Sequence, residues 1–167
     1  MFNLKNLNKA YSHFAEKKNL TCYFMVILIF FFDRISKIKI IENQIEYNSL
    51  YINDYLNFDL VWNTGVGFGL FSSNTNLFYN SMTVVIGSVI VFILYWMTKL
   101  KFIDKFFFSL VLGGALGNFY DRLTYLAVPD FIDIHYNNFH WFTFNIADIF
   151  ITIGLIMIIL KDLILKK

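Results

Sequence analysis

The chain has 167 residues, of which 57% are hydrophobic, 20% are aromatic and only 16% are charged. Soluble globular domains contain about 45–50% apolar residues, so this composition excludes an ordinary soluble domain, and the length fits one domain, residues 1–167. The net charge is only +2, and no nucleic-acid partner is expected. One cysteine permits no intramolecular disulfide and provides no thiolate metal site.

Four apolar segments each approach the ~20 residues that a helix needs to cross a bilayer core. They are residues 20–41, 77–97, 102–120 and 142–160. We therefore predict an all-α membrane protein with four transmembrane helices. The first segment could be a secretory signal peptide. However, its basic flank is long, no small-x-small cleavage site follows, and its polar end carries paired charges, so we interpret it as a retained helix.

The distribution of basic residues predicts the orientation of these helices. Lysines precede the first segment, fill the loop between the second and third, and follow the fourth: Lys5, Lys9, Lys17, Lys18, Lys99, Lys101, Lys105, Lys161, Lys166 and Lys167. The loop of residues 42–76 contains no Lys or Arg. By the positive-inside rule, both termini and the second loop are cytoplasmic, and the first and third loops lie outside.

The first outer loop carries the pattern of a strand. Phe58, Leu60 and Trp62 alternate with polar residues, which is the period of a half-buried strand. The GVGFG run of residues 65–69 suits a turn or bulge where backbone approaches a ligand closely. We predict a small β-element on the outer membrane surface between helices one and two, within residues 42–76.

Five polar islands interrupt or border the apolar segments: FDRISK, WNTGVGFG, GGALGNFYDR, VPDF and FNIAD. The predicted topology brings all five to one depth, near the outer leaflet. The last island places Asp148 at the start of an apolar run. An ionisable residue inside a membrane span is costly, so Asp148 is a candidate functional residue.

Helical spacing relates several residues of these islands. Asp33 and Lys37 are four residues apart and share a face, so they can form an ion pair, either purely structural or supporting a site. Asp121 and Arg122, taken alone, indicate an interfacial charge pair. The G-x-x-x-G of residues 113–117 predicts close helix packing.

Asp130 and Asp148 are the carboxylates best placed to meet. Two neighbouring carboxylates cannot both ionise easily, so such a pair holds one shared proton. The ionised member can take a proton from water while the protonated member donates to a carbonyl oxygen, as in aspartyl proteases. Alternatively, Asp130 caps a turn and Asp148 is an acid favoured at a helix N-terminus. Spacing alone leaves both interpretations open.

Other classes of protein fit less well. A channel would line a path across the membrane with polar residues, whereas the inner half of each segment is apolar. A metal enzyme could use Asp133, His135 and His140, but the histidines lack a helical i,i+4 frame and suit an interface, so no metal or cofactor is expected. A non-catalytic assembly factor stays open, and it would tolerate Asp148→Asn.

The islands FDRISK, NTGVGFG, GGALGNFYDR, VPDF and FNIAD, in this order, resemble the lipoprotein signal peptidase (signal peptidase II) family. The resemblance covers the chain from Asp33 to about Gly154. It implies a multi-pass aspartyl endopeptidase of the bacterial cytoplasmic (inner) membrane. Such an enzyme cleaves signal peptides from prolipoproteins just before a cysteine modified with diacylglyceryl. The implied partners are this substrate and membrane lipids, with no obligate protein partner.

The resemblance also assigns residues. Asp130 of VPDF and Asp148 of FNIAD match the catalytic pair, whereas Asp121 does not. Residues that match positions lining or supporting the site are Asp33, Lys37, Asn63, Gly65, Asn118, Arg122 and Asn145. The outer loop resembles the family's membrane-surface cradle for substrate. Two departures are Pro129, where the family usually has an aliphatic residue, and Gly67, where it more often has alanine.

Overall fold

The structure is a computed structural model that describes residues 17–44, 50–65, 76–137 and 139–165. Its helices are α1 (Lys17–Gln44), α2 (Asn76–Met97), α3 (Phe102–Tyr125) and α4 (Ile146–Leu165). Its strands are β1 (Leu50–Asn53), β2 (Leu56–Asn63), β3 (Val128–Tyr136) and β4 (Phe139–Phe144). Helix α3 packs against the other three helices. The mostly helical fold with a small antiparallel sheet agrees with the prediction.

The helices present apolar surfaces outward. Within the described chain, the segments Tyr79–Met97 and Phe102–Tyr125 are long and apolar enough to cross a membrane. Helices α1 and α4 also expose large apolar side chains, among them Phe32 in α1 and Leu163 in α4. Extended apolar surfaces of this kind mark contact with a membrane or a partner. The outward faces of all four helices are therefore compatible with lipid.

Small residues let the central helix α3 approach two neighbours closely. A Cβ added at Gly113 would lie 2.9 Å from Cβ of Ile29, and one at Gly117 would lie 2.4 Å from Oδ2 of Asp33, both on α1. On another face of α3, a Cβ at Gly114 would lie 2.4 Å from the carbonyl oxygen of Ala147 in α4. The close helix packing predicted from residues 113–117 is confirmed, and α4 approaches equally closely.

The sheet is larger than predicted. Its strand order is β1-β2-β3-β4, and every neighbouring pair is antiparallel. The β-element predicted between the first two helices is confirmed as β1 and β2, but residues 128–144, which were not predicted as strands, supply the other two. VPDF therefore opens strand β3, and Phe142 belongs to β4 and not to the fourth helix, which begins at Ile146. The aromatic-rich run of β4 favours a strand, and Asn137 forms the turn with φ 52°.

Strand β2 forms where the alternation predicts, but its end buries a polar residue. Asn63 is buried, while Trp62 is 44% exposed and packs against Tyr125 with ring centroids 5.5 Å apart. A register shift between Phe58 and Val61 accompanies this change. A bulge bends a strand and re-aims its side chains, so β2 delivers Asn63 to the interior of the protein.

Proline is accommodated at the start of β3. Pro129 is paired with Trp62 of β2, whereas the pairing of β3 with β4 extends only to Ile132. The missing N–H of Pro129 therefore removes no bond to β4. The other departure from the family, Gly67, lies outside the described residues.

Candidate active site

One asparagine connects the two predicted catalytic carboxylates. Asn145 is fully buried and donates from Nδ2 to Oδ1 of Asp130 at 2.6 Å. Its Oδ1 accepts the backbone N–H of Asp148 at 3.0 Å, and Asp148 Oδ2 accepts the backbone N–H of Asn145 at 3.2 Å. Asn145 and Asp148 thus form a reciprocal cap at the N-terminus of α4. The structure brings Asp130 and Asp148, from a strand and a helix, to the same side chain.

Asn63 holds the other oxygen of Asp130. Its Nδ2 donates to Asp130 Oδ2 at 2.9 Å, and its Oδ1 accepts the backbone N–H of Gly65 at 2.8 Å. The second bond closes a local turn of the Asx type. Because the amide oxygen is occupied by Gly65, the amide nitrogen of Asn63 is directed to Asp130.

Asn118 of α3 donates a hydrogen bond to Asp148, as Asn63 does to Asp130. Its Nδ2 donates to Asp148 Oδ1 at 2.8 Å, and its Oδ1 accepts from Nζ of Lys37 at 2.8 Å. An asparagine amide has one accepting and one donating end. In all three asparagines a separate donor occupies the accepting end, so each donating end faces a carboxylate. This shared orientation explains why asparagine suits these positions.

Lys37 is fully buried and uses all three of its donors. Besides Asn118, it donates to Oδ2 of Asp33 at 2.8 Å and to Oδ2 of Asp121 at 2.7 Å. Asp33 also accepts the backbone N–H of Ala147 at 3.0 Å. The predicted Asp33–Lys37 pair is confirmed. It connects α1 to α3 and to the start of α4.

Asp121 belongs to this support and not to the carboxylate pair. It accepts from Lys37 and from Arg34, both on α1. The prediction of an Asp121–Arg122 charge pair was therefore wrong, because adjacent residues of a helix point in different directions. Arg34 was not among the predicted site residues, although a positive charge in the FDRISK island beside an apolar segment was a signal that it would pair.

Arg122 holds the end of strand β2. It donates to the carbonyl oxygen of Gly65, and its guanidinium lies over the ring of Tyr79, 5.5 Å from the centroid. The Tyr79 hydroxyl donates to the carbonyl of Arg122 at 3.2 Å. Among the hydrogen bonds of the described residues, Arg122 reaches neither Asp130 nor Asp148. It supports the turn that orients Asn63.

The environment of Asp130 favours a bound proton. Its side chain lies in strand β3, and the residue is 2% exposed. Burial, together with the neighbouring Asp148 carboxylate, raises the pKa of Asp130 to about 7, against the opposing effect of the Asn63 and Asn145 donors. Such a shift is typical of two carboxylates that share a site and a proton.

An apolar cavity opens beside Asp148. It has a volume of about 270 Å³ and is lined by Phe144, Asp148, Ile149, Thr152 and Ile153. Apart from the carboxylate and one hydroxyl, these side chains are apolar. The cavity therefore offers an apolar chain a place directly next to a candidate catalytic group.

The structure also brings together Asp133, His135 and His140, which we name the hairpin cluster. Their ligand atoms lie within 4.8 Å of one another. These histidines lack a helical i,i+4 frame, as expected from the sequence, but His135 and His140 face each other in the β3–β4 register. Strand pairing supplies the frame that helical spacing does not.

Apolar outer helix faces and two neighbouring carboxylates, Asp130 buried and Asp148 partly buried, fit the class of a membrane protease. The family model of signal peptidase (SPase) II matches residues 25–164. The chain is 47% identical to the lipoprotein signal peptidase of Pelagibacter ubique (strain HTCC1062) over 154 residues, which are 89% of this chain and 93% of that protein. It is 36% identical to the lipoprotein signal peptidase of Anaplasma phagocytophilum (strain HZ), with 88% and 94% covered. The chain belongs to the signal peptidase II family, and the resemblance inferred from its motifs is confirmed.

A solved structure agrees with this assignment. The structure of a bacterial membrane enzyme is 31% identical in sequence and superposes with a TM-score of 0.70, covering 88% of this chain and 92% of that chain. A second structure of a bacterial membrane enzyme gives a TM-score of 0.68 at 29% identity, with 84% of this chain and 91% of that chain covered. The structural similarity therefore covers most of the chain.

Proposed function

We propose that this chain is an aspartyl endopeptidase that removes the signal peptide from diacylglyceryl-modified prolipoproteins. Cleavage falls just before the lipidated cysteine. The observation that carries the proposal is the double contact of Asn145, which binds Asp130 through its side chain and Asp148 through its cap. Family membership supplies the substrate class, because signal peptidase II enzymes process prolipoproteins.

The surroundings of the two carboxylates support different roles for them. A pKa of about 7 lets Asp130 keep a proton near neutral pH and donate it to the carbonyl oxygen of the scissile bond. Asp148 accepts hydrogen bonds from Asn118 and from the backbone of Asn145, and it lies at a helix N-terminus, where negative charge is favoured. As the ionised member, it removes a proton from water, whose oxygen attacks the carbonyl carbon.

The second half of the reaction returns both protons. The tetrahedral intermediate collapses, and the carbon–nitrogen bond breaks. The amine nitrogen of the leaving cysteine takes the proton that Asp148 received from water, and Asp130 recovers its own proton from a hydroxyl group of the collapsing intermediate, which leaves the new carboxylic acid. Arg122 and Lys37 take no part in these transfers, because their contacts orient Asn63 and Asn118.

The proposal places four helices across the bacterial cytoplasmic membrane with both termini in the cytoplasm. Lysine-rich flanks support this orientation, and the exposed apolar faces of α1 to α4 support four spans. The carboxylate pair, on β3 and α4, then lies near the outer leaflet. Aromatic residues on the sheet, including Tyr136 and Trp141, are more than half exposed, as expected where a protein surface meets lipid headgroups. The cavity beside Asp148 would receive an apolar part of the substrate.

Cleavage of a defined substrate tests the proposed reaction. The purified chain in detergent is mixed with a prolipoprotein that carries diacylglyceryl on its cysteine, and with the same prolipoprotein left unmodified. Mass spectrometry of the products should show a single cut immediately before the modified cysteine, and the unmodified form should stay intact. Cleavage at other bonds, or equal cleavage of both forms, would contradict the assigned substrate.

A further inference from the structure

The hairpin cluster converges on one carboxylate oxygen. Oδ2 of Asp133 lies 2.8 Å from Nδ1 of His140 and 3.5 Å from Nδ1 of His135. Asp133 is only 4% exposed, and the two imidazole rings lie with their centroids 5.1 Å apart. Three atoms that commonly bind metal ions therefore lie around one point, on strands that pair with each other.

Two buried polar atoms at or opposite the hairpin cluster make no hydrogen bond with the described residues. Nδ1 of His135 is buried without a hydrogen bond to any described residue, and its side chain is 11% exposed. Oδ1 of Asn57 is also buried without a hydrogen bond to any described residue, and Asn57 pairs with Asp133 in the β2–β3 register. Buried polar atoms almost always have a partner, and exceptions often mark an ion or an ordered water. Both atoms belong to residues next to Asp133: His135 lies two residues along β3, and Asn57 lies opposite on β2.

The geometry points to a second, non-catalytic site that binds a divalent transition ion of the zinc type. Its ligands are Asp133 Oδ2, His135 Nδ1 and His140 Nδ1, and water completes the coordination. Imidazole with carboxylate suits zinc and its neighbours, whereas magnesium and calcium prefer oxygen ligands alone.

The observed distances are close to those that such an ion requires. Ligands about 2.0–2.2 Å from a tetrahedral zinc ion lie roughly 3.4 Å from one another, and the His135–Asp133 distance is 3.5 Å. The His140–Asp133 distance of 2.8 Å must widen by roughly 0.6 Å. The stacked rings must also tilt so that both lone pairs meet the ion. The side chain of His140 is 55% exposed and has room for this movement.

The position of the cluster gives the ion a mechanical role. Asp133 follows Asp130 by three residues on β3, a distance of about 10 Å along a strand. His140 lies on β4, which leads directly to Asn145. An ion held by both strands would fix the two segments that deliver the carboxylate pair. It shares no ligand with that pair, so it stabilises the sheet and does not enter the proton transfers.

Metal titration of the full chain tests this site. The protein is purified in detergent through a tag that contains no histidine, treated with EDTA, dialysed, and titrated with zinc chloride by calorimetry. We expect one ion per chain and a higher midpoint of thermal unfolding with zinc. Cobalt in place of zinc should give the visible absorption bands of a four-coordinate ion.

Matched variants locate the ion. His140→Asn and Asp133→Asn should each weaken binding by at least about tenfold and abolish the cobalt bands, whereas His13→Asn, at the remaining histidine of the chain, should bind like the wild type. Because His140 is largely exposed, its variant should fold even where Asp133→Asn does not. Absence of one-to-one binding, binding that survives His140→Asn, or binding lost in His13→Asn would overturn the proposal. Cleavage after EDTA treatment, measured well below the unfolding midpoint, should be unchanged, so a failure of this site leaves the proposed function intact.

Discussion

The raised pKa of Asp130 predicts that this carboxylate makes the fold less stable as pH rises. In the unfolded chain its pKa is near 3.8, whereas in the fold it is about 7. Between these values the folded protein binds the proton that the unfolded chain has released. The stability that this bound proton gives the fold is fully present below pH 4 and is lost as pH rises through 7. One pKa unit corresponds to about 1.4 kcal/mol. The ionisation penalty therefore grows from about 2 kcal/mol at pH 5 to about 4 kcal/mol at pH 8.

The variant Asp130→Asn removes this pH dependence. Asparagine keeps the size of the side chain but cannot ionise. Its NH₂ group replaces one of the two carboxylate oxygens that accept hydrogen bonds from Asn63 and Asn145. That mismatch with Asn63 and Asn145 costs about 1–3 kcal/mol, but the cost is independent of pH. Between pH 5 and pH 8 the wild type should therefore lose about 2–3 kcal/mol relative to the variant.

Thermal unfolding in detergent at pH 5, 6, 7 and 8 measures this difference. For a chain of this size, 2–3 kcal/mol corresponds to a relative shift of about 5–10 °C in the unfolding midpoint. The other ionisable groups are common to both proteins, so their contributions largely cancel. Parallel curves for wild type and variant would refute the raised pKa of Asp130. A wild type that gained stability relative to the variant with rising pH would reverse its sign.

Three further variants test the support of the carboxylate pair. Asn145→Ala removes the donor to Asp130 and should lower kcat by about 10²–10³-fold in a peptide-cleavage assay. The control Asn53→Ala, which removes the bond to the Tyr55 N–H on an exposed turn, should leave kcat unchanged. Equal effects of the two variants on kcat would contradict the special role of Asn145. Gly114→Ala places a Cβ 2.4 Å from a backbone oxygen of α4. It should lower the unfolding midpoint more than Gly87→Ala, whose Cβ would lie 3.1 Å from the Phe119 ring, a side chain that can move. A larger loss for Gly87→Ala would contradict the close packing of α3 on α4. Lys37→Gln should destabilise the fold by about 3–5 kcal/mol and reduce the folded yield, and a fully folded variant with no residual cleavage would show that Lys37 acts in the chemistry itself.

Sequence reasoning anticipated the site better than the fold around it. The i,i+4 spacing of Asp33 and Lys37 was sufficient to predict their pair, because helical geometry fixes which neighbours share a face. The five polar islands also predicted which segments converge. Asp33, Asn118 and Asp148 indeed belong to one hydrogen-bond network.

The extent of the sheet could not be obtained in the same way. Pairing between β2 and β3 joins residues more than sixty positions apart, and no local pattern specifies such a partner. The β3–β4 hairpin did have a local signal, since Asn137 and Asn138 separate two strand-like runs. That signal was masked because VPDF and the aromatic residues after it were assigned to a loop, and the residues from Phe142 onward to a helix. The sequence suggested Asp133, His135 and His140 as a possible group, but only strand pairing shows that His135 and His140 lie together.

The orientation of the asparagines also required the structure. Each amide is directed by a donor far from it in sequence or by a backbone N–H, such as Lys37 for Asn118 and Gly65 for Asn63. Sequence motifs identified these positions through family resemblance, but the physical reason for asparagine appears only in the network. When another group donates to the amide oxygen, the amide nitrogen is left to donate to the carboxylate.

The central claim is that Asp130 and Asp148 together perform the cleavage. The most direct measurement is the single-turnover rate of cleavage of a diacylglyceryl-modified prolipoprotein by folded wild type, Asp130→Asn and Asp148→Asn, with Asp54→Asn on the exposed first hairpin as control. Equal unfolding profiles in detergent establish which samples are folded. The account predicts wild-type rates for Asp54→Asn and no measurable cleavage by either variant of the pair. Cleavage near the wild-type rate by folded Asp130→Asn or Asp148→Asn would contradict it.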